Sequence, residues 1–176
     1  MKKITVIVAA LALFLSAGAS DSTLLEPKIL SSALSKNPGK SIATGEVTRS
    51  VSKAFTEKFT KAQNVNWDKR DEFYFAQFTV NDKDFSVAYS EKGEMLAISR
   101  TVSFEELPLA VTTALTEKYS DYKLSSNVTE VVMDGTTSYH LFADSKTRFL
   151  QLKCSPDGSI SVDKKIKKKV LVGSVL

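Results

Sequence analysis

The stretch Val51-Ser52-Lys53-Ala54-Phe55-Thr56-Glu57-Lys58-Phe59 returns sixty residues later as Val111-Thr112-Thr113-Ala114-Leu115-Thr116-Glu117-Lys118-Tyr119. Self-similarity on this scale points to one supersecondary unit used twice. A second match, Tyr89-Ser90-Glu91-Lys92-Gly93 against Cys154-Ser155-Pro156-Asp157-Gly158, lies at a spacing five residues wider, so the second copy carries a short insertion.

Within each copy the apolar period changes from helical to extended. Val47, Val51, Ala54, Phe55 and Phe59 share one helix face, as do Leu107, Val111, Ala114, Leu115 and Tyr119. Pro108 suits the first turn of its helix, and Ser103 with Glu106 forms a capping box ahead of it. Beyond each helix, side chains alternate. Tyr74, Ala76, Phe78 and Val80 point one way, and Phe73, Phe75, Gln77 and Thr79 the other. Asn81-Asp82 turns, Phe85, Val87 and Tyr89 alternate, Glu91-Lys92-Gly93 turns, and Met95 to Val102 runs back. The second copy reads as strands over Leu124 to Met133, Tyr139 to Ala143, Arg148 to Cys154 and Ile160 to Lys168. The predicted fold class is therefore α+β: a tandem repeat of one helix followed by an antiparallel β-meander, with the helices packed on one face of the sheet. Residues 47–102 form the first repeat, 103–169 the second and 170–176 a tail.

Met1, Lys2 and Lys3 precede an unbroken apolar run from Ile4 to Leu15, and Ser16, Ala17, Gly18 and Ala19 fit a cleavage site. Residues 1–19 read as a signal peptide, residues 20–46 as an N-terminal segment or linker, and the location as periplasmic or secreted. Removing the two leading lysines brings the net charge of +4 closer to neutrality, which does not suit nucleic acid as a partner. The mature chain carries no transmembrane segment. With one cysteine, Cys154, the fold has no intramolecular disulfide and must rest on its core. At 176 residues, 43% hydrophobic and 25% charged, the chain can build one.

Chemistry is sparse. The one histidine, His140, lies on a strand with no nucleophile or acid at a motif spacing. Cys154 shares its parity with Leu150 and Leu152 and reads as a buried thiol. Glu105-Glu106 and the Asp82, Asp84 pair sit at a helix start and in a turn, where capping and solvation account for them. No metal site, cofactor or enzymatic activity is expected. Phe73 and Phe75, joined by His140 and Phe142 in the second copy, fall on the sheet face away from the helices. Burying a Phe contributes about 1.5 to 3 kcal/mol, so either a partner covers these rings or they belong to the core. Trp67 follows the first helix and suits either a core edge or an interface anchor. Lys164, Lys165, Lys167, Lys168 and Lys169 protect an exposed edge strand, or else form an anion-binding patch in which Lys165, Lys167 and Lys169 hold glycan or lipid headgroups.

The Trp67 segment, Tyr74-Phe75-Ala76-Gln77-Phe78, Val87-Ala88-Tyr89, Gly93-Glu94, and Leu107-Pro108 opening a helix that ends at Tyr119 resemble the PepSY-like family of exported bacterial proteins, itself similar in fold to the β-lactamase inhibitor protein. The resemblance covers Val47 to Lys165. It departs from the pattern where Cys154 replaces the aromatic of Tyr89 and where Ser138-Tyr139-His140-Leu141 replaces the Tyr-x-Ala-x-Phe string. It implies an envelope or extracellular location without catalysis, and either restraint of a peptidase or capture of another protein on a concave sheet. The function expected is an exported non-enzymatic module that binds an envelope or extracellular protein or peptide, a peptidase included, through Trp67, Phe73, Phe75, His140 and Phe142. The alternative is a structural or carrier protein that binds an anionic glycan or lipid through the C-terminal lysines.

Overall fold

The computed structural model describes residues 40–168. The predicted signal peptide (residues 1–19), residues 20–39 of the predicted N-terminal segment, Lys169 and residues 170–176 lie outside the described residues.

Strand β1 (Lys40–Ile42) precedes helix α1 (Arg49–Lys58), which is followed by β2 (Gln63–Arg70), β3 (Phe73–Val80), β4 (Lys83–Ser90) and β5 (Met95–Ser103). Helix α2 (Leu109–Lys118) then leads to β6 (Lys123–Leu124), β7 (Asn127–Met133), β8 (Thr136–Asp144), β9 (Arg148–Cys154) and β10 (Ile160–Lys167). All ten strands belong to one antiparallel sheet in the order β1-β2-β3-β4-β5-β7-β8-β9-β10, with β6 pairing off this path to β8.

The predicted architecture is corrected. Among the described residues the chain is mostly one ten-stranded antiparallel sheet with two ten-residue helices, not a tandem repeat of helix plus meander with helices packed on the sheet. Each helix has two buried residues, Val51 and Phe55 in α1 and Val111 and Leu115 in α2, so the helices are a minor part of the architecture. The strands depart from the prediction at three places. β2, with the sequence Gln-Asn-Val-Asn-Trp-Asp-Lys-Arg, is too polar to read as a strand; backbone pairing with β3 and burial of Trp67 hold it in the sheet. β1 pairs only Lys40, Ser41 and Ile42 with Lys69, Asp68 and Trp67. The run from Leu124 to Met133 is split by Ser125 and Ser126 into β6 and β7. The capping box read at Ser103 and Glu106 is present ahead of α2: Ser103 N–H donates to Glu106 Oε2 at 2.9 Å around a 3-10 turn, Phe104–Glu106.

The sheet has a core face. One cluster gathers Val51 and Phe55 with Trp67, Tyr74, Ala76, Phe78, Val87 and Tyr89. Another gathers Val111 and Leu115 with Val128, Leu141, Leu150, Leu152 and Cys154. Aromatic edges tie the first together, with the Phe55 ring 5.1 Å from both Trp67 and Phe78. Between the clusters, Arg100 on β5 forms a bidentate pair with Glu130 on β7, its Nε and Nη2 lying 3.1 and 3.0 Å from the carboxylate oxygens. Tight turns set the register. Asn81 and Asp82 both have positive φ, as do Asp134 and Gly135, the pattern of a two-residue hairpin turn that follows the sheet twist.

Candidate functional site

The opposite, reverse face is built from the alternate residues of the same strands. In one row across it, Asp68, Phe75, Ala88, Ala97, Met133 and Thr136 stand opposite one another from β2 to β8. A second row runs Asn66, Gln77, Ser86, Ser99, Val131 and Ser138. A third links Thr129, His140 and Lys153 on β7, β8 and β9. The parity read from the sequence places Phe73, Phe75, His140 and Phe142 on this face, whereas Trp67 belongs to the core cluster on the other.

These four side chains differ in accessibility. Phe75 is only 5% exposed, and the Arg70 guanidinium lies 5.1 Å from its ring centroid. Phe73 is half-buried. Phe142 is 45% exposed and stacks on Phe149 with centroids 5.2 Å apart and planes at 24°. A β-bulge between Val162 and Lys164 then changes which residues of β10 join them. Ile160 and Val162 oppose Cys154 and Leu152 on the core face, but past the bulge Lys164 and Ile166 oppose Gln151 and Phe149 on the reverse face. Ile166, also 45% exposed, thus meets Phe149, and Phe142, Phe149 and Ile166 make an apolar patch across β8, β9 and β10. Strict alternation along β10 assigns Ile166 to the same side as Val162, so the bulge hides it from sequence reasoning. Phe149 was legible, since it alternates with Leu150 and Leu152, but was missed.

His140 is 9% exposed, and its Nε2 lies 3.1 Å from the hydroxyl of Ser138, itself 8% exposed. Its Nδ1 has no hydrogen-bond partner among the described residues and faces Asp163 Oδ2 in the bulge at 3.7 Å. With the ring proton on Nδ1, toward the carboxylate, Nε2 accepts from Ser138. Burial is the leading influence and lowers the His140 pKa; Asp163 acts in the opposite direction, and Lys153 reinforces the lowering. Serine, histidine and aspartate here follow the order of a nucleophilic triad, but the geometry does not support the chemistry. The serine is enclosed, the histidine–aspartate contact exceeds hydrogen-bond length, and residues 138 to 140 lie in a strand paired on both sides, whose amides serve the ladder and not an oxyanion. Cys154 is fully buried, and desolvation pushes its thiol up to about 11, so it holds the neutral, inert form.

Lys164, Lys165 and Lys167 are all exposed on β10 at the end of the strand order, while Lys168 pairs with Asp144. Lys165 and Lys167 share one face of the strand, and Lys164 lies on the other. Lys169 is outside the described residues. No group of histidine, cysteine and acidic residues able to hold a metal ion occurs among the described residues, and no described helix is long and apolar enough to cross a membrane.

No protein-family model and no curated protein sequence matches the chain. Solved structures do. A protein described as periplasmic, from Bacteroides eggerthii, superposes with a TM-score of 0.60 at 22% identity, over 70% of this chain and 90% of that one. A DUF2874 family protein from Bacteroides uniformis gives 0.59 at 20% identity, over 68% and 88%. A BLIP-like protein from Bacteroides fragilis gives 0.60 at 17% identity, over 72% and 91%. PepSY family membership is not shown by any of these; the chain has the BLIP-like fold that the solved structures share.

Proposed function

We propose that the protein is an exported, non-enzymatic binding module that holds another envelope protein against the reverse face of its sheet. One observation carries this reading: Phe142 and Ile166, each 45% exposed, adjoin Phe149 in one apolar patch on the reverse face. Burying such side chains contributes about 1.5 to 3 kcal/mol each, and aromatic anchors within a polar rim are the usual energetic centre of a protein interface. The BLIP-like fold and the periplasmic description of one structural neighbour support an envelope setting. Phe142 provides the anchor. Phe73 lies on β3, many strands away, and Phe75 and His140 shape the face from within. A peptidase is the first partner class to test, on the strength of the PepSY-like resemblance.

The test is affinity capture from the envelope fraction of the producing cells. Wild type should retain one stoichiometric partner that the double variant Phe142→Ser, Ile166→Ser loses while its melting temperature stays within a few degrees. Equal capture by both proteins removes the patch as the interface.

A further inference from the structure

A second feature of the reverse face is independent of that patch. Between β2 and β7 the surface forms an open trough enclosing about 440 Å³, within the range of small-ligand sites. Adjacent strands lie about 4.8 Å apart, so the four intervals from β2 through β3, β4 and β5 to β7 give it a span of about 19 Å. Its middle is low because the central residues are small, Ser86, Ser99, Thr101 and Thr129, while the longer amides Asn66 and Gln77 rise on one flank.

We propose that this trough is a binding site for a neutral, hydroxyl-rich ligand, a short uncharged oligosaccharide. The reasons lie in its lining. Asn66, Gln77, Ser86, Ser99, Thr101 and Thr129 make no side-chain hydrogen bond to any other described residue, so six neighbouring amides and hydroxyls retain their capacity to donate and accept. Sugar hydroxyls need both functions from a partner, and each of these six side chains offers both. Charge decides against an anion. The lining holds one carboxylate, Asp84, and its one cationic side chain, Arg100, is already engaged by Glu130. A peptide fits less well. β3, β4, β5 and β7 are each paired on both sides, so they present no free backbone edge for an added strand, and the trough floor has no aliphatic pocket for peptide side chains.

The experiment is an NMR titration of the isotope-labelled protein with maltotetraose, cellotetraose and chitotetraose. Tetragalacturonate and tetra-alanine serve as the anionic and peptide comparisons. At least one neutral tetrasaccharide should shift trough amides saturably, with an affinity unchanged between low and high salt. The double variant Asn66→Ala, Gln77→Ala, which alters only exposed side chains, should weaken binding about tenfold or more, as expected for two lost hydrogen bonds at about 1 kcal/mol each. Ser99→Phe, which fills the floor, should abolish it. The Phe142→Ser, Ile166→Ser protein should bind sugar normally, so failure of the partner interface and failure of the trough are read separately. Absence of saturable shifts with all three neutral sugars overturns the proposal. So does preference for the peptide or the anion, or unaltered affinity in the double amide variant.

Discussion

His140 shows how much a single side chain on this sheet is governed by position and how little by type. Nearly buried beside Ser138, with Asp163 and Lys153 facing it from β10 and β9 and Thr129 opposite on β7, it is kept neutral chiefly by desolvation. A histidine whose folded pKa is depressed is neutral in the native protein at a pH where the unfolded chain binds a proton. Stability from this group is therefore complete above the ordinary value of 6.5 and falls as pH drops from there through the folded pKa. Urea unfolding measured between about pH 7.5 and 5 should show this decline, and His140→Gln should flatten it. A slope that is unchanged in the variant would place the titration elsewhere. That His140 faces away from the helices was legible from parity. Its enclosure was not, because Asp163 reaches it only through a bulge that alternation along β10 cannot reveal.

At the level of elements, two turns hold their helices in place by close backbone approach. Gly93, with φ of +84°, would bring a Cβ to 2.7 Å from the Ser50 carbonyl oxygen in α1, and Gly158, with φ of +88°, would bring one to 2.7 Å from that of Ala110 in α2. Gly135 also has positive φ, but a Cβ there meets nothing within 4 Å. Gly158→Ala should therefore combine backbone strain with a clash against fixed backbone and lose more than about 2 kcal/mol. Gly135→Ala carries the strain alone and should lose about 1 kcal/mol. Chemical denaturation of the two variants checks the order, and equal losses would mean that the turn does not seat on the helix. The recurrence of both glycines was visible in the sequence, as were the alternating strands β3, β4 and β9. β2 was hidden because its Asn, Gln, Asp and Lys residues carry no β-favouring signal, and pairing supplied by β3 overrode that composition.

Across the whole molecule, a long open sheet must deal with its two ends. β1 leaves only a three-residue stretch at one. β10 presents eight residues at the other, with Lys164, Lys165 and Lys167 all exposed. Lysines along a terminal strand make pairing with another chain unfavourable. Replacing Lys165 and Lys167 with Val should then leave the monomer's melting temperature nearly unchanged but produce concentration-dependent self-association, followed by light scattering or sedimentation. A variant that stays monomeric at high concentration would show that the bulge alone guards this edge. The ladder also has a kinetic side. From β2 to β5 and from β7 to β10 each strand pairs with its neighbour in the chain, whereas β5 and β7 meet only after α2 has been spanned. Hairpins close quickly and long loops slowly. Each half can thus zip from its own turns, and the joining of β5 to β7, clasped by Arg100 and Glu130, is the late event that turns two fast local zippers into a single cooperative sheet.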